Sequence, residues 1–112
     1  MPEVLTMDVV KQQLQALPGW RIAGGKRKRI QRRLAFRDFV QALRFVNKVG
    51  KQAEAQGHHP DITIRYNKVT LDLVTHSAGG LTDLDFLLAT AIDELARPGG
   101  DDTAALARPW WR

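Results

Sequence analysis

The chain has 112 residues, 44% of them hydrophobic, which suits one compact domain and is too apolar for a disordered chain. It has no cysteine, which excludes disulfides, thiolate nucleophiles and Cys-based zinc or iron–sulfur sites. The net charge of +5 is local, because eight Lys/Arg and no Asp/Glu fall between Arg21 and Arg37, leaving nine basic against twelve acidic residues elsewhere. The opening Met1-Pro2-Glu3-Val4 lacks the basic-then-apolar pattern of a signal segment, and the longest apolar run, Phe86 to Ile92, is too short to cross a bilayer. A soluble, cytoplasmic protein is expected.

Thr6 reads as a helix N-cap with Asp8 in the first turn, and Val10, Leu14 and Leu17 recur at helical spacing until Pro18-Gly19 stops the run. Trp20 to Ala23 reads as a short strand, Gly24-Gly25 and the basic residues as a turn, and Ile30 to Phe36 as a second strand. Arg32 falls on the same face of that strand as Ile30, Leu34 and Phe36, against the apolar pattern. Asp38 is expected in the first turn of a long helix with a buried stripe of Phe39, Leu43, Val46, Gly50 and Ala53, ended by Gly57. Two alternating strands follow, one through Ile62, Ile64 and Tyr66 and one through Val69, Leu71 and Leu73. A tight hairpin at Asn67-Lys68, with Asn at positive φ, is expected to join them. Gly79-Gly80 is expected to be a flexible loop. Thr82 then caps a last helix with a stripe of Leu84, Leu87, Leu88, Ala91 and Leu95, stopped by Arg97-Pro98-Gly99-Gly100. The order α-β-β-α-β-β-α predicts an α+β fold, a four-stranded antiparallel sheet with three helices packed on one face. Residues 1–97 form the expected domain, and 98–112 a mobile C-terminal tail whose Trp110-Trp111 pair is either incidental or docks on this subunit or a neighbour.

The whole histidine complement is His58-His59-Pro60 and His76. Imidazole titrates near about 6.5 when unperturbed, so it suits proton transfer at neutral pH. Pro60 favours an extended His59, and adjacent side chains in an extended segment point to opposite sides. In a tight hairpin the start of one strand lies beside the end of the other, which brings His76 near His58 and His59. Three surface histidines and a zinc site are the rival readings, although adjacent histidines lack the spacing that puts two ligands on one side. Thr82-x-x-Asp85 matches a capping box, with Asp in place of Glu, so Asp85 is a capping residue, a site residue or both. Glu54, in the last turn of the long helix, opposes the helix dipole, a hint of function set against a solvated neighbour of Lys51.

The run Glu54-x-x-x-His58-His59-Pro60, Tyr66-Asn67-Lys68-Val69, Thr75-His76 and Gly80-Leu81-Thr82-x-x-Asp85, with Gly19-Trp20 and Phe36-Arg37-Asp38-Phe39 before it, resembles the pterin-4a-carbinolamine dehydratases over residues 3–97. The resemblance implies the α+β fold already read. It also implies loss of water from 4a-hydroxytetrahydropterin to give quinonoid dihydropterin, recycling the tetrahydrobiopterin cofactor of aromatic amino-acid hydroxylases. No metal or organic cofactor is implied. Carried onto this chain, the active-site residues are His58, His59, His76 and Asp85, with Glu54, Pro60, Asp61 and Thr75 as substrate-binding residues. Within that set His58 and His76 are expected to shuttle protons, His59 to bind and orient the pterin, and Asp85 to orient or polarise a histidine. Glu54 and Asp61 would shape the pocket rim. At Ile62, where some members carry a large aromatic, this chain offers no ring for stacking.

The resemblance further implies a homo-oligomer, dimer or tetramer, a pterin substrate, a functional link to an aromatic amino-acid hydroxylase and no membrane partner. A non-catalytic binding or dimerisation module is the alternative, since some animal members partner a homeodomain transcription factor. In that alternative the Arg21–Arg37 hairpin would touch nucleic acid, but it lacks interleaved aromatics and reads first as a solvated basic segment. A dehydratase-like protein in another pterin pathway would use the same fold and pocket.

Overall fold

The computed structural model describes residues 2–97; the expected tail from 98 to 112, with Trp110-Trp111, lies outside the described residues. The elements run α1 (Met7–Leu14), β1 (Arg21–Ala23), β2 (Arg29–Ala35), α2 (Phe39–Gln56), β3 (Asp61–Arg65), β4 (Lys68–Leu73) and α3 (Asp83–Leu95). The four strands form one antiparallel sheet in the order β1-β2-β4-β3. Two hairpins therefore meet at the β2–β4 seam, where Ile30 faces Leu73 and Leu34 faces Val69. These side chains, with Leu71, turn to the helices and are fully buried with Phe45, Val49, Leu88 and Ile92. The α+β architecture expected from the pattern is the one observed. No helix among the described residues is long and apolar enough to cross a membrane.

Each helix begins where a short polar side chain can accept an orphan backbone N–H. Thr6 accepts from Val9 and Asp38 from Gln41, so Asp38 is the N-cap of α2, one place before the expected first turn. Gly57 ends α2 in the left-handed region, at φ 65°, as its position predicts.

The buried face of α2 differs from the expected one. Ala42, Phe45, Val49 and Ala53 face the core, while Phe39 and Leu43 are exposed and Val46 is half-buried. Two apolar stripes coexist on this helix, and the one containing Phe45 is selected because its ring packs on Phe36 at the end of β2, with centroids 5.0 Å apart. On α3 the core takes Phe86, Leu88, Ala89 and Ile92, leaving Leu87 exposed in place of its expected burial. Phe39, Val40 and Leu43 thus leave an apolar face in solvent, which the expected self-association would have available along with the outer edges of β1 and β3.

The second hairpin turns at Tyr66-Asn67, not Asn67-Lys68, and the positive φ (54°) belongs to Tyr66. Asn67 is used elsewhere: its amide Nδ2 donates to the Phe36 carbonyl at 2.7 Å, and its own carbonyl accepts from Phe36 N at 2.9 Å. The turn of one hairpin is thereby fastened to the end of the other. The Gly79-Gly80 loop, expected to be flexible, is closed by backbone pairing of Thr75 with Gly80, and a Cβ on Gly80 would lie 2.8 Å from Val4.

Arg32 does lie on the helix-facing side of β2, and Asp93 of α3 explains it. The Asp93 carboxylate accepts from Arg32 Nη1 at 2.6 Å and from Trp20 Nε1 at 2.8 Å. Gly19 has no side chain for the same reason, since a Cβ there would sit 2.7 Å from the Arg32 guanidinium. Removing the carboxylate leaves a mostly buried cation and an indole N–H unpaired, so Asp93→Ala should lower stability by about 2–4 kcal/mol in urea unfolding. A loss below about 0.5 kcal/mol would show that the cluster does not hold α3 to the sheet.

Candidate active site

The chain reverses at Gly57 after α2, and Pro60 leads into β3. His58 and His59 therefore occupy a short connector between a helix end and a strand start. The two rings separate as adjacent side chains in an extended segment should: His58 is buried and His59 exposed.

His58 Nε2 lies 2.6 Å from Oδ1 of Asp85, a carboxylate with no solvent exposure. The other oxygen, Oδ2, accepts from Thr75 Oγ1 at 2.8 Å and from Thr82 N at 2.9 Å. The last of these closes a capping box at the start of α3, so Asp85 is a cap that also holds His58. Thr75 gives its single hydroxyl hydrogen to Asp85, so the hydrogen in its 2.7 Å contact with Thr82 Oγ1 comes from Thr82. A buried carboxylate needs this full set of donors, because an unpaired buried charge is strongly unfavourable. With Asp85 accepting, the shared hydrogen sits on His58 Nε2.

The other two histidines also have carboxylate partners. His59 Nε2 contacts Glu54 Oε2 across the turn that Gly57 makes, with both side chains mostly in solvent. His76 Nε2 lies 3.8 Å from Asp61 Oδ2, again at the surface. The hairpin brings this pair together, since Asp61 opens β3 and His76 follows β4. Thr75 joins the buried cluster to its neighbour His76 through one peptide bond. The eight residues expected at the site therefore form a buried group of His58, Asp85 and Thr75, two exposed pairs, Glu54–His59 and Asp61–His76, and Pro60 immediately before β3. Ile62 packs on the core. Among the described residues no three His, Cys, Asp or Glu side chains converge as metal ligands would.

A cavity of about 320 Å³ opens beside His76 and Asp61, a size at the low end of small-molecule sites. Arg27, Lys28, Arg29, Asp72, Val74 and Gly79 complete its wall. None of these six was expected at the pterin site, and Arg27, Lys28 and Arg29 entered only through the alternative nucleic-acid reading of the basic hairpin. The basic run was legible, but only the β2–β4 pairing places Arg29 beside Asp72, whose Oδ1 accepts from Arg29 Nε and Gln31 Nε2, each at 2.8 Å.

The family model described as pterin 4 alpha carbinolamine dehydratase matches residues 3–95. The chain belongs to this family. Within it, the chain is 52% identical over 91 residues to a protein of Acidobacterium capsulatum provisionally named a pterin-4-alpha-carbinolamine dehydratase, covering 81% of this chain and 96% of that one. A relative of the same name from Cyanothece is 48% identical over 97 residues, covering 87% and 97%. Among solved structures, the Brucella melitensis transcriptional coactivator/pterin dehydratase superposes with a TM-score of 0.80 at 36% identity, covering 85% of this chain and all of that one. A pterin dehydratase-like protein described as a RuBisCO assembly factor of the alpha-carboxysome superposes at 0.58 and 26% identity, covering 69% and 88%.

The buried and exposed carboxylates should behave differently on removal. Asp85→Ala leaves three buried donors unpaired and should cost about 3 kcal/mol or more of stability. Glu54→Ala, which breaks an exposed pair, should cost under about 1 kcal/mol. Chemical denaturation of the two variants checks this, and equal losses would contradict the division between a buried node and surface pairs.

Proposed function

We propose that this chain dehydrates 4a-hydroxytetrahydropterin to quinonoid dihydropterin. The observation that carries the reading is that every histidine of a family member's motif has its own carboxylate beside it, hydrogen-bonded at His58 and His59 and 3.8 Å away at His76. The reaction breaks the C4a–O bond and forms a C4a=N5 double bond. The departing hydroxyl must gain a proton to leave as water, and N5 must lose one. An imidazolium can give the first proton and a neutral imidazole can take the second, so two rings near the ligand suffice and the net proton count is unchanged.

Burial favours a particular sharing of roles. His58 has one nitrogen held by a buried carboxylate and only a thin edge of ring in solvent, whereas the His59 and His76 side chains are 62% and 69% exposed. His59 and His76 are therefore the rings open to a ligand, His76 from the cavity wall and His59 from the connector that leads to Asp61, and on this reading they exchange protons with it. The expected shuttle role of His58 passes to His59 on this reading, and His58 with Asp85 holds the connector that carries His59. Glu54 orients the His59 ring, as a carboxylate does for a ring N–H in general acid–base pairs, and Asp61 sets a negative charge near His76. Thr75 and Pro60 fix the backbone next to His76 and His59. The product is an oxidised pterin that needs reduction before reuse, which fits the expected place after aromatic amino-acid hydroxylation.

Stopped-flow absorbance on 4a-hydroxytetrahydropterin tests this reading. His59→Ala and His76→Ala should each lower kcat by about 10²–10⁴-fold, the usual worth of a general acid or base. Wild-type rates in both variants would sink the assignment. A folded wild type that gives no acceleration would remove the enzymatic reading and leave a binding module.

A further inference from the structure

We propose that the cavity beside His76 takes a pterin whose side chain ends in an anion, a phosphate monoester or a carboxylate, held by Arg27 and Lys28. The inference rests on the reading of this chain as a pterin enzyme and adds a substrate class to it. Three cations and two carboxylates line the cavity. Arg29 is committed to Asp72, whose same oxygen also accepts from Gln31. Asp61 faces His76. Among the described residues, Arg27 and Lys28 have no carboxylate partner, so a neutral ligand would leave two positive charges on the wall uncompensated.

The loop that carries these charges is shaped rather than loose. Gly24 sits at φ 88°, and a Cβ there would meet the Arg27 carbonyl at 2.3 Å, so the turn folds tightly on itself at a position only glycine can hold. Lys28 Nζ reaches back to the Gly24 carbonyl at 3.4 Å, which keeps the ammonium at the mouth of the turn. The Arg27 guanidinium presents a planar fork of donors that matches either a phosphate or a carboxylate. Asp61, at the other side of the cavity, repels an anion. The charges therefore give the ligand a direction, with its ring system toward Asp61 and His76 and its side-chain terminus toward the hairpin.

Equilibrium binding, read by quenching of pterin fluorescence, tests the proposal with three probes: neutral 6-hydroxymethylpterin, its phosphate monoester and pterin-6-carboxylate. Wild type should bind at least one anionic probe about tenfold more tightly than the neutral one, a modest yield for charge-assisted contacts at a half-exposed site. The probe with the larger preference identifies the source of the anion. In Arg27→Gln/Lys28→Gln the preference should fall to about one. Lys26→Gln removes a charge from the same hairpin outside the cavity wall and should keep the preference. Equal binding of all three probes by wild type, or a preference that survives in the double variant, would overturn the proposal. Failure of the underlying pterin reading would look different, because the neutral probe itself would not bind.

Discussion

The carboxylate of Asp85 is the point on which the site is built. It is fully buried, and it is acceptable there only because Thr75, Thr82 and His58 supply donors to both oxygens. Those donors come from three separate parts of the chain: the segment after β4, the N-cap of α3 and the connector after α2. One charge therefore fixes how α3 enters the fold, where the loop before it closes, and where the His58-His59 connector lies. On the proposed reading, stability and function share this node.

Around that node the chemistry moves outward. His58 is held inside, while its chain neighbour His59 and the Thr75 neighbour His76 are carried to the surface. Each exposed ring has a carboxylate within reach, supplied by a helix end in one case and a strand start in the other. The sheet adds a second contribution, because the β2–β4 seam sets a basic hairpin from the first half of the chain against the histidine loop of the second. The positive charge concentrated between Arg21 and Arg37 thus divides into distinct uses. Arg32 is neutralised under α3 by Asp93, Arg29 is neutralised in the cavity wall by Asp72, and, among the described residues, Arg27 and Lys28 line the cavity without a carboxylate partner.

Much of this was legible in the sequence because local rules decide it. The caps at Thr6 and Thr82, the left-handed Gly57 and the alternation in β3 and β4 depend on neighbours a few residues away. The opposed directions of His58 and His59 follow from Pro60, and the hairpin, expected to bring His76 near those two rings, sets it beside Asp61, two residues on from His59. What could not be read depends on partners distant in the chain. Helical spacing allows two apolar stripes on α2, and only the Phe36 ring selects the one with Phe45. An arginine on the apolar face of β2 makes sense only once Asp93 and Trp20 are beside it. The positive φ expected at Asn67 fell to Tyr66 because the Asn67 amide is engaged with Phe36. Most of the cavity wall was hidden for the same reason, since no local pattern says that β2 pairs with β4.

The most direct measurement is of the three histidine rings themselves, by proton–nitrogen correlation spectra of the chain with and without a bound, unreactive 7,8-dihydropterin. The account predicts that the His59 and His76 ring signals shift on binding, while His58 keeps a slowly exchanging hydrogen on Nε2 in both states. Shifts confined to His58, or a His58 ring hydrogen found on Nδ1 instead, would contradict the division between a buried histidine that positions and two exposed ones that act.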